Sequence, residues 1–284
     1  MLPGSQKQSI LTRAIATRCV RALALSVGAL LLPCIAFALR IDNPKIDVQL
    51  NKDESYSGQI VVENNSTEEI RIKAYAEDFL YKEPFDGEKQ FLPKGTTPLS
   101  LAAWLTLSPL EFTLAPYGRQ TVNFVLRPQE NVEIVHCGII FFETGLGRTV
   151  NEQGEGIDVL GRVGSLIFIE PTKQEKKGEF SQIKESAHSL EGIFKNTGNT
   201  FLHVQGIYYI IDSTDKVSTR GKTNELYLLP QNQAKVDISP TDALPAGNYT
   251  VVLTLDLEGG KALVKEIDFS VSSTGAYKII TVRD

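Results

Sequence analysis

Residues 107–128, LSPLEFTLAPYGRQTVNFVLRP, restrict the fold more than any other part of the chain. Leu110, Phe112 and Leu114 alternate with Glu111 and Thr113, and Val122, Phe124 and Leu126 alternate with Asn123 and Val125. Successive side chains of a strand point to opposite faces, so each run has one buried face and one outward face. Between them Ala115-Pro116-Tyr117-Gly118 places proline second and glycine fourth, which suits a type I turn. An antiparallel hairpin is therefore expected here, and with it a β-sandwich.

The same period of two recurs on both sides. Ile46, Val48 and Leu50 alternate with Asp47 and Gln49, a second strand ends at Asn64-Asn65, and Ile70, Ile72, Ala74 and Ala76 form a third. Residues 81–98, punctuated by Pro84, Gly87, Pro93, Gly95 and Pro98, read as a long surface connection. Residues 99–104 suit either a short helical turn or a lead into the hairpin, and Trp104 suits a core or rim anchor. The apolar run 137–143 (CGIIFFE) fits a strand buried on both faces, the polar stretch 145–156 a loop, and 159–170 the last strand before Pro171. Residues 172–179 (TKQEKKGE) lack apolar side chains and read as a linker.

Beyond it about seven strand-like runs follow between residues 180 and 271, as an immunoglobulin-like sandwich requires. Gly259-Gly260 suits a two-residue hairpin between two of them, and 277–282 is a β-prone tail. No amphipathic helix of ordinary length is present. The expected fold is all-β: a signal over 1–38, Ig-like sandwiches over 39–171 and 180–272 with the linker between, and a tail over 273–284.

At the N-terminus Lys7, Arg13, Arg18 and Arg21 precede the apolar run 22–36, which ends in Ala36-Phe37-Ala38. A basic region, a short apolar core and small residues at the exit describe a cleaved secretory signal, and the run is short for a membrane span. Without it, 25 basic and 34 acidic groups leave a formal charge of −9, which excludes an electrostatic footprint for nucleic acid. Cys19 and Cys34 leave with the signal, so Cys137 has no internal partner and the exported chain stands on its cores. A periplasmic or extracellular location follows.

The residues Leu107-Ser108-Pro109, Phe112, Leu114-Ala115-Pro116-Tyr117-Gly118, Val122, Val125 and Pro128, then Ile140-Phe141-Phe142-Glu143, resemble the first domain of periplasmic pilus-assembly chaperones of the PapD type. Val61-Val62-Glu63-Asn64-Asn65 and Ile167-Phe168-Ile169-Glu170-Pro171 continue the resemblance, and residues 190–199 with Leu228-Leu229-Pro230 are similar to the second domain. The resemblance implies capture of a pilin subunit by strand addition. It also implies an arginine on the first strand and a lysine on the last strand of domain one, which hold the subunit's terminal carboxylate. Counted from Val48 and Leu50, the arginine position falls near Glu54, with Lys52 the nearest base; counted back from Pro171, the lysine position falls near Gly164, with only Arg162 close by. Glu54 reverses the sign that an anion anchor needs, so Lys52 and Arg162 are the remaining candidates. A second, vaguer resemblance is to two-domain extracellular proteins of Gram-positive surface complexes.

The candidate partner-binding edge is therefore Gly164, Leu166, Ile167, Phe168 and Ile169, apolar and β-prone, either open to a partner's strand or covered by its own sandwich. His136 and Cys137 are neighbours on a strand and face opposite ways, which argues against a catalytic dyad. His188 and His203 lack ligands at zinc spacing, and no phosphate-loop or calcium-loop pattern is present. The expected function is that of a non-enzymatic, chaperone-like protein, without cofactor or metal, binding a secreted or surface protein subunit. The alternative is a structural or adhesive envelope module that binds through loops such as 81–98.

Overall fold

The structure is a computed structural model describing residues 39–150, 154–186 and 188–284; the expected signal at 1–38 lies outside the described residues. The chain forms two Ig-like β-sandwiches in tandem. The first contains β1 (Leu39–Ile41), β2 (Lys45–Gln49), β3 (Tyr56–Asn64), β4 (Ile70–Tyr81), β5 (Lys89–Pro93), β6 (Leu105–Ser108), β7 (Glu111–Leu114), β8 (Arg119–Leu126), β9 (His136–Val150) and β10 (Gly156–Glu170). The second contains β11 (Gly178–Ser186), β12 (Ser189–Asn196), β13 (Leu202–Asp212), β14 (Val217–Lys222), β15 (Leu226–Leu228), β16 (Gln233–Ile238), β17 (Gly247–Asp256), β18 (Leu263–Val271) and β19 (Tyr277–Arg283). The first pair of sheets runs β1-β3-β8-β6 and β2-β10-β9-β4-β5, with β7 also on β4; the second runs β11-β12-β16 and β14-β13-β17-β18-β19, with β15 on β13.

Ile60, Val62, Ile72, Phe124, Ile140 and Phe142 fill the first core, and Phe194, Leu202, Tyr208, Leu253, Ile267 and Phe269 the second. A third cluster, with Phe79, Tyr81, Cys137, Phe141, Phe168 and Leu229, joins the two. It explains why β9 is apolar on both faces: Ile140 and Phe142 look into the first core while Cys137, Ile139 and Phe141 look into the junction.

Several sequence expectations need correcting. The runs at 110–114 and 122–126 are strands but not a hairpin, because β7 pairs with β4 while β8 pairs with β3 and β6. Both alternations look into one core from opposite sheets, and the turn between them is a corner. Gly118 N donates to Ala115 O at 2.9 Å, and Tyr117 has φ 56°, the positive value that a type II turn places at its third position.

Residues 81–98 are not a plain connection, since β5 folds back on β4 and Phe85 packs against the second core. The stretch 145–156 is largely strand, because β9 runs to Val150 and β10 starts at Gly156. Gly259-Gly260 lies in a longer connection, since Leu255 is already opposite Leu263. The tail is β19, paired with β18 and burying Tyr277 in the second core. Ala102–Trp104 is a 3-10 turn, with Trp104 buried beside the first core.

Candidate functional site

β10 pairs antiparallel with β9 from Gly156 to Ile169, but parallel with β2 only from Leu166 to Glu170. Among the described residues no strand covers its other edge over 156–165. This edge ends where β2 begins: Ser165 Oγ donates to Asn43 O at 2.6 Å, and Leu166 N donates to Pro44 O at 3.0 Å.

The side chains along the open stretch are apolar and exposed. Ile157, Val159 and Leu160 are 45%, 39% and 61% accessible, and Leu146 and Val150 on the neighbouring β9 are 50% and 68%. Val159 faces Gly147 while Leu160 faces Gly145, so Leu146 is the extra residue of a β-bulge. It lies over Gly161, where a Cβ would come within 2.8 Å of Leu146 Cδ1. An exposed strand edge with apolar side chains is what a soluble protein ordinarily blunts.

Of the residues singled out from the sequence, Gly164 lies on this open stretch and Leu166 to Ile169 lie further along the same strand. Ile167, Phe168 and Ile169 are fully buried, and Leu166 and Gly164 half-buried. From Leu166 onward both edges are hydrogen-bonded, so this half of the strand cannot accept another. The physical reason is β2, whose Ile46 is buried in the first core and whose backbone takes the place expected for a partner. Of the predicted edge residues only Gly164 lies on the open stretch, which otherwise runs N-terminal to them.

The two candidate anion anchors are not brought together. Lys52 stands exposed in the turn after β2, whose last residue pairs with Glu170, whereas Arg162 lies about 26 Å back along β10. The Arg162 guanidinium is already engaged: 4.0 Å above Phe141, 5.0 Å from Phe91 and 3.3 Å from Glu77 Oε2. Glu54 closes its own turn, accepting Asn51 N at 2.7 Å and Asn51 Nδ2 at 3.1 Å, bonds that hold its carboxyl below the usual range. A base that sequence counting passed over is Lys45, the first residue of β2 and directly opposite Leu166. Its Nζ lies 3.1 Å from Asp47 and 5.1 Å from the Phe168 ring, at the inner end of the open edge. The signal was available, since Lys45 directly precedes the alternating run that begins at Ile46.

Nearby, Glu170 is buried and accepts a hydrogen bond from Thr200 Oγ1. Burial raises its pKa and Asp47 adds to this, while the Thr200 hydrogen bond and, less strongly, Lys176 and Lys45 oppose it. Cys137 is fully buried and its thiol is pushed up to about 12 by that burial, so it packs as a small apolar side chain. His136 Nδ1 donates to Ile134 O at 3.0 Å, and its ring lies 4.3 Å from that of Trp104; burial lowers its pKa. His188 Nδ1 is 3.0 Å from Gly275 O and His203 Nε2 is 3.1 Å from Glu225 Oε2. No group of three His, Cys, Asp or Glu side chains among the described residues is placed to hold a metal, and no helix among them is long and apolar enough to cross a membrane.

No family model matches this chain, and no curated protein matches it. Among solved structures it is similar to the class 5 fimbriae chaperone CfaA, at 16% identity and TM-score 0.49 over 80% of this chain and 97% of that one. It is similar to the E. coli chaperone DraB, at 14% identity and TM-score 0.41 over 80% and 98%. A third similar chain comes from the Salmonella enterica SafA pilin in complex with the SafB chaperone, at 9% identity and TM-score 0.44 over 86% and 97%.

Proposed function

We propose that this chain is an exported, non-enzymatic, chaperone-like protein that binds a secreted or surface protein subunit by β-strand addition along residues 156–165 of β10. One observation carries the reading: the unpaired edge of β10, lined by exposed Ile157, Val159 and Leu160, which stops where β2 takes over the same edge. Main-chain hydrogen bonds along such an edge supply affinity, and pockets for alternate side chains supply specificity. A pilin subunit lacking a strand has the matching deficiency. In this reading Lys45, at the inner end of the edge, meets the terminal carboxylate of the added strand in a charge-assisted contact. The alternative of a binding loop at 81–98 loses its ground, because that segment is tied to the second sandwich through Tyr227 N, which donates to Phe85 O at 2.8 Å.

The test is co-purification of a co-expressed pilin subunit. Ile157→Asp/Val159→Asp is expected to abolish it while leaving the melting temperature unchanged, because both side chains face solvent. Retention of the subunit by this folded variant would sink the proposal. Lys45→Ala is expected to weaken binding by roughly tenfold, within the range for charge-assisted contacts.

A further inference from the structure

Ile157, Val159, Gly161 and Val163 stand two residues apart on β10 and so share one face of the sheet. It is the face that looks toward the first core, since Val163 packs against that core and Ile167 and Ile169, continuing the same spacing, are buried in it. Ile157, Val159 and Val163 carry branched apolar side chains, and Gly161 carries none. A lent strand is recognised through pockets for its alternate side chains. Taken by itself, β10 therefore offers a row with a gap at Gly161.

The gap is occupied from β9. Leu146 is the extra residue between the Leu160–Gly145 and Val159–Gly147 pairs. In an unbroken register it would stand opposite Val159. The bulge instead carries it over Gly161, where a Cβ would come within 2.8 Å of Leu146 Cδ1 and 3.1 Å of its Cγ. Gly161 is buried, while Leu160 and Arg162 on either side of it are exposed. Leu146, which covers it, is itself 50% accessible. The apolar mass absent from position 161 is thus present at that place, on a side chain still open to a partner.

Given strand addition along residues 156–165, on which this rests, we infer that Leu146 is a specificity-determining residue of the site and supplies the apolar side chain that Gly161 lacks. A bound subunit then meets Ile157, Val159, Leu146 and Val163 in that order, although only three of them belong to the lent strand. The subunit this fits has a continuous apolar groove, with a leucine-sized space rather than a filled position beside Gly161.

Competition between parent and variant chains for a co-expressed pilin subunit tests it. Leu146→Ala is expected to weaken capture about tenfold, as for a leucine side chain lost from a buried contact. Gly161→Leu puts two side chains where one fits and is expected to weaken it by a similar factor. Combined, Leu146→Ala/Gly161→Leu refills the position once and is expected to recover most of the loss, the non-additivity of two residues sharing one place. Circular dichroism melts that match the parent check that Leu146→Ala and the double variant fold. Unchanged capture by Leu146→Ala, or a double variant no better than Leu146→Ala alone, would overturn the inference; strand addition itself still stands if Ile157→Asp/Val159→Asp abolishes capture. Retention of the subunit by Ile157→Asp/Val159→Asp would remove both.

Discussion

Asn64 and Asn196 show how much of each sandwich depends on one buried amide. Asn64 Nδ2 donates to Glu68 O at 2.7 Å and to Ala115 O at 3.0 Å, while its Oδ1 accepts from Ser66 N at 2.9 Å and Ser66 Oγ at 2.7 Å. Asn196 repeats the arrangement, with Nδ2 to Thr200 O at 2.9 Å and Leu228 O at 3.0 Å, and Oδ1 accepting from Gly198 N at 2.9 Å. Each amide pins a proline corner, Leu114-Ala115-Pro116-Tyr117-Gly118 in one sandwich and Leu228-Leu229-Pro230-Gln231-Asn232 in the other. Both corners hold a positive φ at the third turn position, 56° at Tyr117 and 69° at Gln231. Asn64→Ala strands buried carbonyls and is expected to cost about 2–3 kcal/mol in urea unfolding. Glu170 makes the opposite prediction. Its carboxyl is raised by burial, so the folded state holds the proton more tightly than the unfolded chain; the stability this confers is full below the ordinary glutamate range and is lost as pH rises through the folded pKa. Glu170→Gln retains an acceptor for Thr200 without a buried charge, and is expected to raise Tm by about 2–4 °C at pH 7 but not at pH 4. An equal gain at both pH values would refute that account.

Among the elements, the β4–β5 hairpin has a role its sequence conceals. It leaves the first sandwich, presents Phe85 to the second core and accepts Tyr227 N on its backbone. Phe85 holds φ 68°, a left-handed value that is unfavourable for a bulky side chain and persists where the surroundings fix it. Gly87, at φ 105°, lies against Tyr227, where a Cβ would come within 3.2 Å of the ring. Phe85→Ala is expected to lower stability by about 2 kcal/mol, less than a fully buried phenylalanine because the side chain is only partly enclosed. Chemical denaturation measures it, and an unchanged midpoint would show that the hairpin lies loosely on the second sandwich.

At the scale of the molecule, the sandwiches are coupled through stacked aromatic side chains and backbone clamps. Tyr81 stacks on Phe201 at 5.5 Å and Tyr227 at 5.7 Å, and Phe168 meets Phe201 at 5.3 Å. Asn199 completes the junction: its carbonyl accepts Val135 N at 2.9 Å and its Nδ2 donates to Glu133 O at 3.1 Å. Residues 39–284 form one compact unit, so calorimetry is expected to show one cooperative transition. Phe201→Ala/Tyr227→Ala is expected to separate it into two, because each core is complete without the junction. Two transitions in the parent protein would show that the junction adds little.

Period-two alternation, the corner prolines and the charged stretch near residue 175 are local properties, and they determined an all-β chain with two sandwiches. Alternation states which face of a strand is buried but says nothing about which strand lies beside it, and only the tertiary structure decided that. Hence β7 and β8 were legible as strands while their separation into opposite sheets was not. β14 shows the converse, because an exposed edge strand such as VSTRGK has no buried face to pattern. The same limit governs the site. The sequence marked the last strand of the first sandwich as the place for a partner, but which half of it is open depends on where β2 begins to pair, a contact between residues more than a hundred positions apart.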